Sequence, residues 1–352
     1  MNNINYKKYL KYKKKYFNLK AGSALSENFY YDEISHNTNL LVTTTGFNQI
    51  EWKEYENFKN LVETFGVPII TISGVEWGQD LIKFIKHESG LNTINYFLKI
   101  GVMEEFIKKS ITDKINEYIP KISHDFEITT KSGNLYNLQK GGNFIILPQS
   151  VNGNYFYDGN KYYPNIRNKI MLTLTPTRYG IYDFENLNIL ALQVYLPDYE
   201  VDKFYGDDVH HIDEILTLIP YGPGINDYNI WFYNPICEEN KTYEIKLREI
   251  QKFNLLILLG FFPKEKIELF DLFFDENGKI IKPPIFNRVI LRKGNHFRII
   301  FPDPKDEFII EKVKEELDDN PYVEYFFVDT SELHNLNGNI HCGFKSIPEL
   351  IN

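Results

Sequence analysis

The sequence predicts a mixed α/β protein assembled from recurring strand-helix units, and three observations carry that expectation. From residue 30 onward, short runs of Val, Ile, Leu and Thr alternate with longer amphipathic stretches. Asn-Gly, Asp-Gly and Lys-Gly pairs fall between them, where hairpins and tight turns need glycine. The composition, 43% hydrophobic and 25% charged over 352 residues, is that of a folded chain with a sizeable core.

In chain order, buried strands are expected over 39–44, 67–72, 144–147, 189–194 and 288–291, each an apolar run too short for a helix. Helices are expected over about 51–64, 94–118, 243–258, 264–272 and 306–319. The last has the plainest pattern, with Ile309, Ile310, Val313 and Leu317 on one face and Lys and Glu between them. Turns are expected at Asn152-Gly153, Asp158-Gly159, Asn277-Gly278 and Lys293-Gly294. Nothing inside 26–352 divides that stretch, so it is expected to be one domain, preceded by a basic Tyr/Lys-rich segment and linker over 1–25.

Two cysteines, Cys237 and Cys342, exclude a disulfide scaffold and a cysteine-based zinc site, and point to a reducing, cytoplasmic setting. No apolar run approaches the roughly 18–20 residues of a membrane span. The formal charge of −9 is unevenly spread: residues 1–20 hold seven lysines and no acid, which leaves −16 on the remainder. An acidic body suits a basic substrate, and no nucleic-acid partner is expected for it. Within the head, Tyr6, Tyr9, Leu10, Tyr16 and Phe17 fall near helical spacing among the lysines. That pattern fits a solvated helix, and also an anchor to an anionic surface or nucleic acid. Ala21-Gly22-Ser23-Ala24 reads as the linker. Such heads resemble those of many proteins encoded by large DNA viruses.

Three short segments carry the residues suited to chemistry. Asn337-Gly338-Asn339-Ile340-His341-Cys342-Gly343 presents a thiol between polar and small neighbours, unlike the apolar setting of a structural cysteine. A cysteine nucleophile needs a nearby histidine or cation to populate its thiolate. His341, adjacent in sequence, is expected to point to the opposite face, which leaves His211 as the partner. In His211-Ile212-Asp213-Glu214, residues two apart on an extended segment share a face, and the apolar run 215–220 anchors them. Trp77-Gly78-Gln79-Asp80 follows the strand expected over 67–72; its acid could take the charge of an elongated cation whose stem packs on the indole. Taken singly, each pattern also has a structural reading: a hydrogen-bonded histidine beside a capping Asp, or an Asp capping the helix after a strand.

Together with Gly142-Asn143-Phe144, these motifs stand in the order and approximate spacing of the protein-arginine deiminase catalytic domain, which the chain resembles over roughly 30–352. That domain belongs to the guanidine-modifying (amidinotransferase) superfamily. The resemblance implies a five-bladed α/β propeller, the pentein fold, of pseudo-fivefold strand-helix modules. It implies Cys342 as nucleophile, His211 as general acid/base, and Asp80 and Asp213 as the clamp on the guanidinium nitrogens. Trp77 and Val209 would flank the substrate. The implied reaction converts peptidyl-arginine, in a protein or peptide partner, to peptidyl-citrulline and ammonia through a covalent thiouronium. Gly338-Asn339-Ile340-His341-Cys342 also resembles the terminal motif of agmatine deiminases, so free agmatine or arginine is the rival substrate. Gln79 before Asp80, where agmatine deiminases usually carry Arg, favours the peptidyl substrate. A catalytically silent arginine-binding module needs the two acids but neither Cys342 nor His211.

Two departures from the family stand out. The immunoglobulin-like domains that precede the catalytic domain in animal members are not expected within these 352 residues. Calcium-binding positions of that family fall here on Leu81, Lys83 and Ile145, with Gln79 the one clear match. Calcium is implied by the family, but a site for it needs six or more oxygen ligands and its ligand positions are largely replaced; no other cofactor is expected. Lys83 either supplies locally the charge that the metal supplies elsewhere or is a solvated surface residue.

Overall fold

A computed structural model describes residues 29–30, 34, 36–73, 77–78, 82–86, 92–99, 105–119, 123–129, 144–146, 156–158, 161–163, 170–176, 200–206, 211–224, 227–259, 262–336 and 338–349. The head and linker of 1–25, the strand expected over 189–194 and the turn at Asn152-Gly153 lie outside the described residues.

A short strand, β1 (Phe29–Tyr30), precedes β2 (Thr38–Thr44), α1 (Tyr55–Thr64) and β3 (Ile69–Ile72). Next come β4 (Ile82–Lys86), β5 (Asn92–Lys99), α2 (Glu105–Asn116) and β6 (Ser123–Thr129). They are followed by β7 (Phe144–Ile146), the hairpin β8 (Phe156–Asp158) and β9 (Lys161–Tyr163), then β10 (Ile170–Pro176) and β11 (Glu200–Gly206). The second half runs β12 (Leu216–Pro220), β13 (Tyr228–Ile236), α3 (Lys241–Leu258), β14 (Ile267–Phe273), β15 (Val289–Lys293), β16 (His296–Pro302), α4 (Glu307–Leu317) and β17 (Val323–Val328). The chain closes with α5 (Ser331–Asn335), α6 (Ile340–Gly343) and β18 (Lys345–Pro348).

One pairing rule recurs through these elements. In β4-β5-β6, β12-β13-β14 and β15-β16-β17, an antiparallel pair is extended by a strand that returns parallel after a helix. The sheets β7-β10-β11 and β18-β2-β3 have the same order of one antiparallel and one parallel contact. In the last, the antiparallel strand comes from the far end of the sequence, Lys345 opposite Val42. Mixed α/β, the expected class, is the observed one.

Local sequence accounts for these units. Lys293 pairs with His296 across a two-residue turn in which Gly294 takes φ +59°, a conformation that costs glycine nothing. Asn240 and Asp306 cap α3 and α4 by accepting from the backbone N–H groups of Tyr243 and Ile309. β12 is buried along its whole length, as strands covered on both faces are.

Two expected helices are corrected. The stretch 94–118 is strand to Lys99 and helix only from Glu105, because Asn92-Thr93-Ile94-Asn95-Tyr96 alternates with period two and pairs with both β4 and β6. The stretch 264–272 is a 3-10 turn over 264–266 followed by β14, whose alternation buries Phe270 and Leu272 beside β13. Parallel pairing with β13 of the neighbouring hairpin overrides local helix propensity there.

Among the described residues, the core has two large clusters. One joins the β12–β14 and β15–β17 units around Trp231, which stacks on Phe301 at 5.4 Å and lies 4.2 Å from Phe270. The other joins the β2 unit to β15–β16 and α6, with Leu41, Phe47, Phe58, Leu291, Ile340 and Phe344. The residues described next lie where these clusters meet.

Candidate active site

His211 is an extended residue at the entrance to a 3-10 turn over Ile212–Glu214, and not part of a strand as expected. Capping causes the turn: His211 N–H donates to Glu214 Oε2 at 3.2 Å, and Glu214 N–H donates to His211 O at 3.2 Å. Ile212 and Ile215 are fully buried, so apolar residues on both sides of Asp213 anchor the turn. Asp213 itself is 1% exposed.

The cysteine segment is held just as firmly. Asn339 caps α6, its Oδ1 accepting from Ile340 N–H at 2.9 Å, while Ile340 and Phe344 are buried in the core. The flanking glycines make room for aromatic rings of the protein itself. A Cβ at Gly338 would lie 2.3 Å from the Trp77 indole, and one at Gly343 would lie 2.4 Å from the Phe47 ring. Phe47 and Trp77 meet edge to face at 5.4 Å. A Cβ on Gly78 would come within 2.8 Å of Gly343 O, so the Trp77-Gly78 backbone packs directly on the cysteine turn.

Because 340–343 is helical, consecutive side chains diverge by about 100° and not by the 180° of a strand. This corrects the expected orientation of His341. Its buried ring reaches Asp213, with Nδ1 2.6 Å from Oδ2.

The three distant segments therefore converge. One donor atom each from His211, Asp213 and the half-buried Cys342 lies within 4.8 Å of the others. Asn287, a residue with no obvious sequence signal, ties the cluster together. Its Nδ2 donates to Asp213 Oδ2 at 2.9 Å and to Cys342 Sγ at 3.3 Å, while its Oδ1 accepts from His341 N–H at 3.0 Å. The one hint was a polar Asn287-Arg288 pair set between Pro283-Pro284-Ile285-Phe286 and Val289-Ile290-Leu291; both are buried. Asp213 Oδ2 thus serves two partners, whereas its buried Oδ1 has none among the described residues. A buried carboxylate oxygen left open in this way is an acceptor for a cationic N–H group arriving from outside.

Of the other expected site residues, Trp77 is half-buried beside the cysteine turn. Gln79, Asp80 and Val209 lie outside the described residues. Cys237 is fully buried at the end of β13, its thiol donating to Asp275 O at 3.3 Å, a structural setting.

The positions implied for calcium do not fit that ion. Lys83 and Ile145 occupy β4 and β7, Leu81 lies outside the described residues, and none of the three side chains carries an oxygen ligand.

No family model matches the chain, and no curated protein matches it in sequence. Solved structures do. The agmatine deiminase of C. jejuni aligns over 94% of this chain and 100% of its own, with TM-score 0.54 and 15% identity. That of Enterococcus faecalis aligns over 92% and 96%, with TM-score 0.53 and 14% identity. A candidate arginine deiminase from Porphyromonas gingivalis aligns over 92% and 99%, with TM-score 0.54 and 12% identity. At such identities the likeness is one of architecture, and along nearly its whole length the chain has the mixed α/β fold of these deiminases.

Proposed function

We propose that this chain is a hydrolase that deiminates a guanidinium group, with Cys342 as nucleophile, and that its substrate is a small free guanidine such as agmatine or arginine. The observation that carries the reading is the meeting of His211, Asp213 and Cys342 within 4.8 Å, beside a carboxylate oxygen with no partner among the described residues. The five like sheets are, on this reading, the blades of a propeller. Asp213 and Asp80 hold the guanidinium nitrogens, fixing a delocalised charge and presenting the carbon to the sulfur. The Cys342 thiolate adds to that carbon, and His211 protonates the departing nitrogen, which leaves as ammonia. An S-alkylthiouronium remains on the sulfur. His211 then takes a proton from water, whose oxygen displaces the thiolate and leaves a ureido product. Trp77 and Val209 flank the substrate stem.

The small substrate is preferred because the agmatine deiminases align with over nine-tenths of the chain. Peptidyl-arginine, favoured by the motif resemblance and by Gln79, is the second reading. Ammonia release from agmatine, free arginine and a blocked arginine amide, each with excess chelator, tests substrate and metal independence together. Turnover of agmatine or arginine in chelator, abolished by Cys342→Ala, is the expected outcome. Turnover of only the blocked amide would move the assignment to the peptidyl substrate, and activity restored by calcium would reject metal independence. Substantial ammonia release from Cys342→Ala would reject the scheme; agmatine binding without turnover by the unaltered chain would make it a binding module.

A further inference from the structure

We propose that Asn287 is a positioning residue of this site, holding the Cys342 sulfur as thiolate and the Asp213 carboxylate in a fixed orientation. The role in turnover rests on the deiminase reading; the effect on the thiol does not. Asn287 is 1% exposed, and among the described residues all three of its side-chain hydrogen bonds go to the cysteine turn or to Asp213. Its amide orientation is set by chemistry: a backbone N–H can only donate, so the His341 N–H fixes Oδ1 and turns Nδ2 toward the sulfur and the carboxylate. The residue sits on a turn whose backbone is closed by Asn287 N–H donating to Pro284 O at 3.2 Å, following two buried prolines. Rigidity at that point costs little chain entropy, since proline has little to lose.

A hydrogen-bonding amide acts on this pair in two ways. Donation to sulfur favours the thiolate over the thiol, and donation to Asp213 Oδ2 leaves Oδ1 as the open acceptor. Among the described residues, the titratable groups around the thiol are His211 and Asp213 from the facing turn and His341 from its own. All three remain in Asn287→Ala and Asn287→Ser, neither of which adds a charge, so a change in thiol titration there reports the amide.

The experiment measures carboxamidomethylation of Cys342 by iodoacetamide against pH, read by mass spectrometry, in the unaltered chain, Asn287→Ala and Asn287→Ser. Buried Cys237 is the internal gauge of folding and stays unlabelled in a folded variant. Loss of the donated bond is expected to slow labelling near neutral pH by about tenfold and raise its midpoint by about one pH unit. In parallel, kcat for ammonia release falls while KM changes little. An unchanged midpoint with Cys237 protected overturns the proposal, as does labelling of Cys237 in both variants, which would make Asn287 a residue of the fold alone. A raised midpoint in a chain that never releases ammonia would retain this assignment and remove the deiminase reading.

Discussion

Gly343→Ala tests how tightly the cysteine turn is packed. The glycine lacks a left-handed backbone, so alanine meets no conformational penalty and only contact energy counts. Its new Cβ would lie 2.4 Å from both Cε2 and Cζ of Phe47. Carbon atoms rest about 3.5 Å apart at closest, so ring or turn must give by about 1 Å. The ring has nowhere to go, being 4% exposed and wedged against Trp77 at 5.4 Å and Phe344 at 5.1 Å. Overpacking of this kind costs about 1–3 kcal/mol. Urea unfolding should show that loss with an unchanged m-value, and the neighbouring Cys342 should lose about a hundredfold in turnover from a displacement of that size. Phe47→Leu removes the ring, so the double variant should be more stable than the sum of the two losses by at least about 0.5 kcal/mol. Stability within 0.5 kcal/mol of the unaltered protein, or additive losses, would refute the packing argument.

Arg292 donates from Nε to Gly294 O, from Nη1 to Ile34 O and from Nη2 to Pro223 O, all within 2.9 Å, pinning three segments with one fork. Arg292→Lys cannot reproduce the fork and should cost about 1–3 kcal/mol in urea unfolding; a loss under 0.5 kcal/mol would show that the fork contributes little. Burial pushes the Asp329 carboxyl up, but hydrogen bonds from Lys305 and Ser331 outweigh it and hold the group down at about 2. Its folded value lies below the unfolded one of about 3.9, so the stabilisation is present above pH 4 and is lost as pH falls toward 2. Asp329→Asn should therefore flatten the fall in urea midpoint between pH 4 and pH 2, by no more than about 1 kcal/mol at this partly exposed site; an unaltered slope would contradict the linkage.

The fold class and the residues of the cluster were legible in the sequence for different reasons. Short apolar runs bounded by Gly and Asn survive as β2 and β15 because both faces are largely covered, and burial on both faces writes itself into consecutive residues. Helices α1, α3 and α4 were legible from their 3.6-residue stripes. The errors at 94–118 and 264–272 arose where an apolar run fits either period, so that pairing with a distant strand decides the outcome. At the cluster, Cys342, His211 and Asp213 announce themselves as reactive types in short motifs. Asn287 does not, because asparagine has no reactivity of its own and acts only through neighbours 55 and 74 positions away. His341 was visible, but its direction depended on whether 340–343 was a turn of helix or a strand.

Asp213 is where stability and function should separate. Its Oδ2 is fully used by His341 and Asn287, and an amide oxygen could accept both bonds unchanged. Its Oδ1 is buried and open, an arrangement that costs the resting protein about 1–3 kcal/mol and gains nothing until a donor arrives. Asp213→Asn should therefore alter unfolding stability by less than about 1 kcal/mol, since two bonds persist and a buried charge is removed. Against a guanidinium the same change deletes a charge-assisted contact and turns an N–H donor toward a cation, so kcat/KM should fall by about a hundredfold or more. A residue kept only for structure would behave the other way, losing activity in proportion to the folded fraction. Turnover within tenfold of the unaltered chain, or an unfolding loss above about 3 kcal/mol, would mean that the open oxygen of Asp213 is not kept for a substrate.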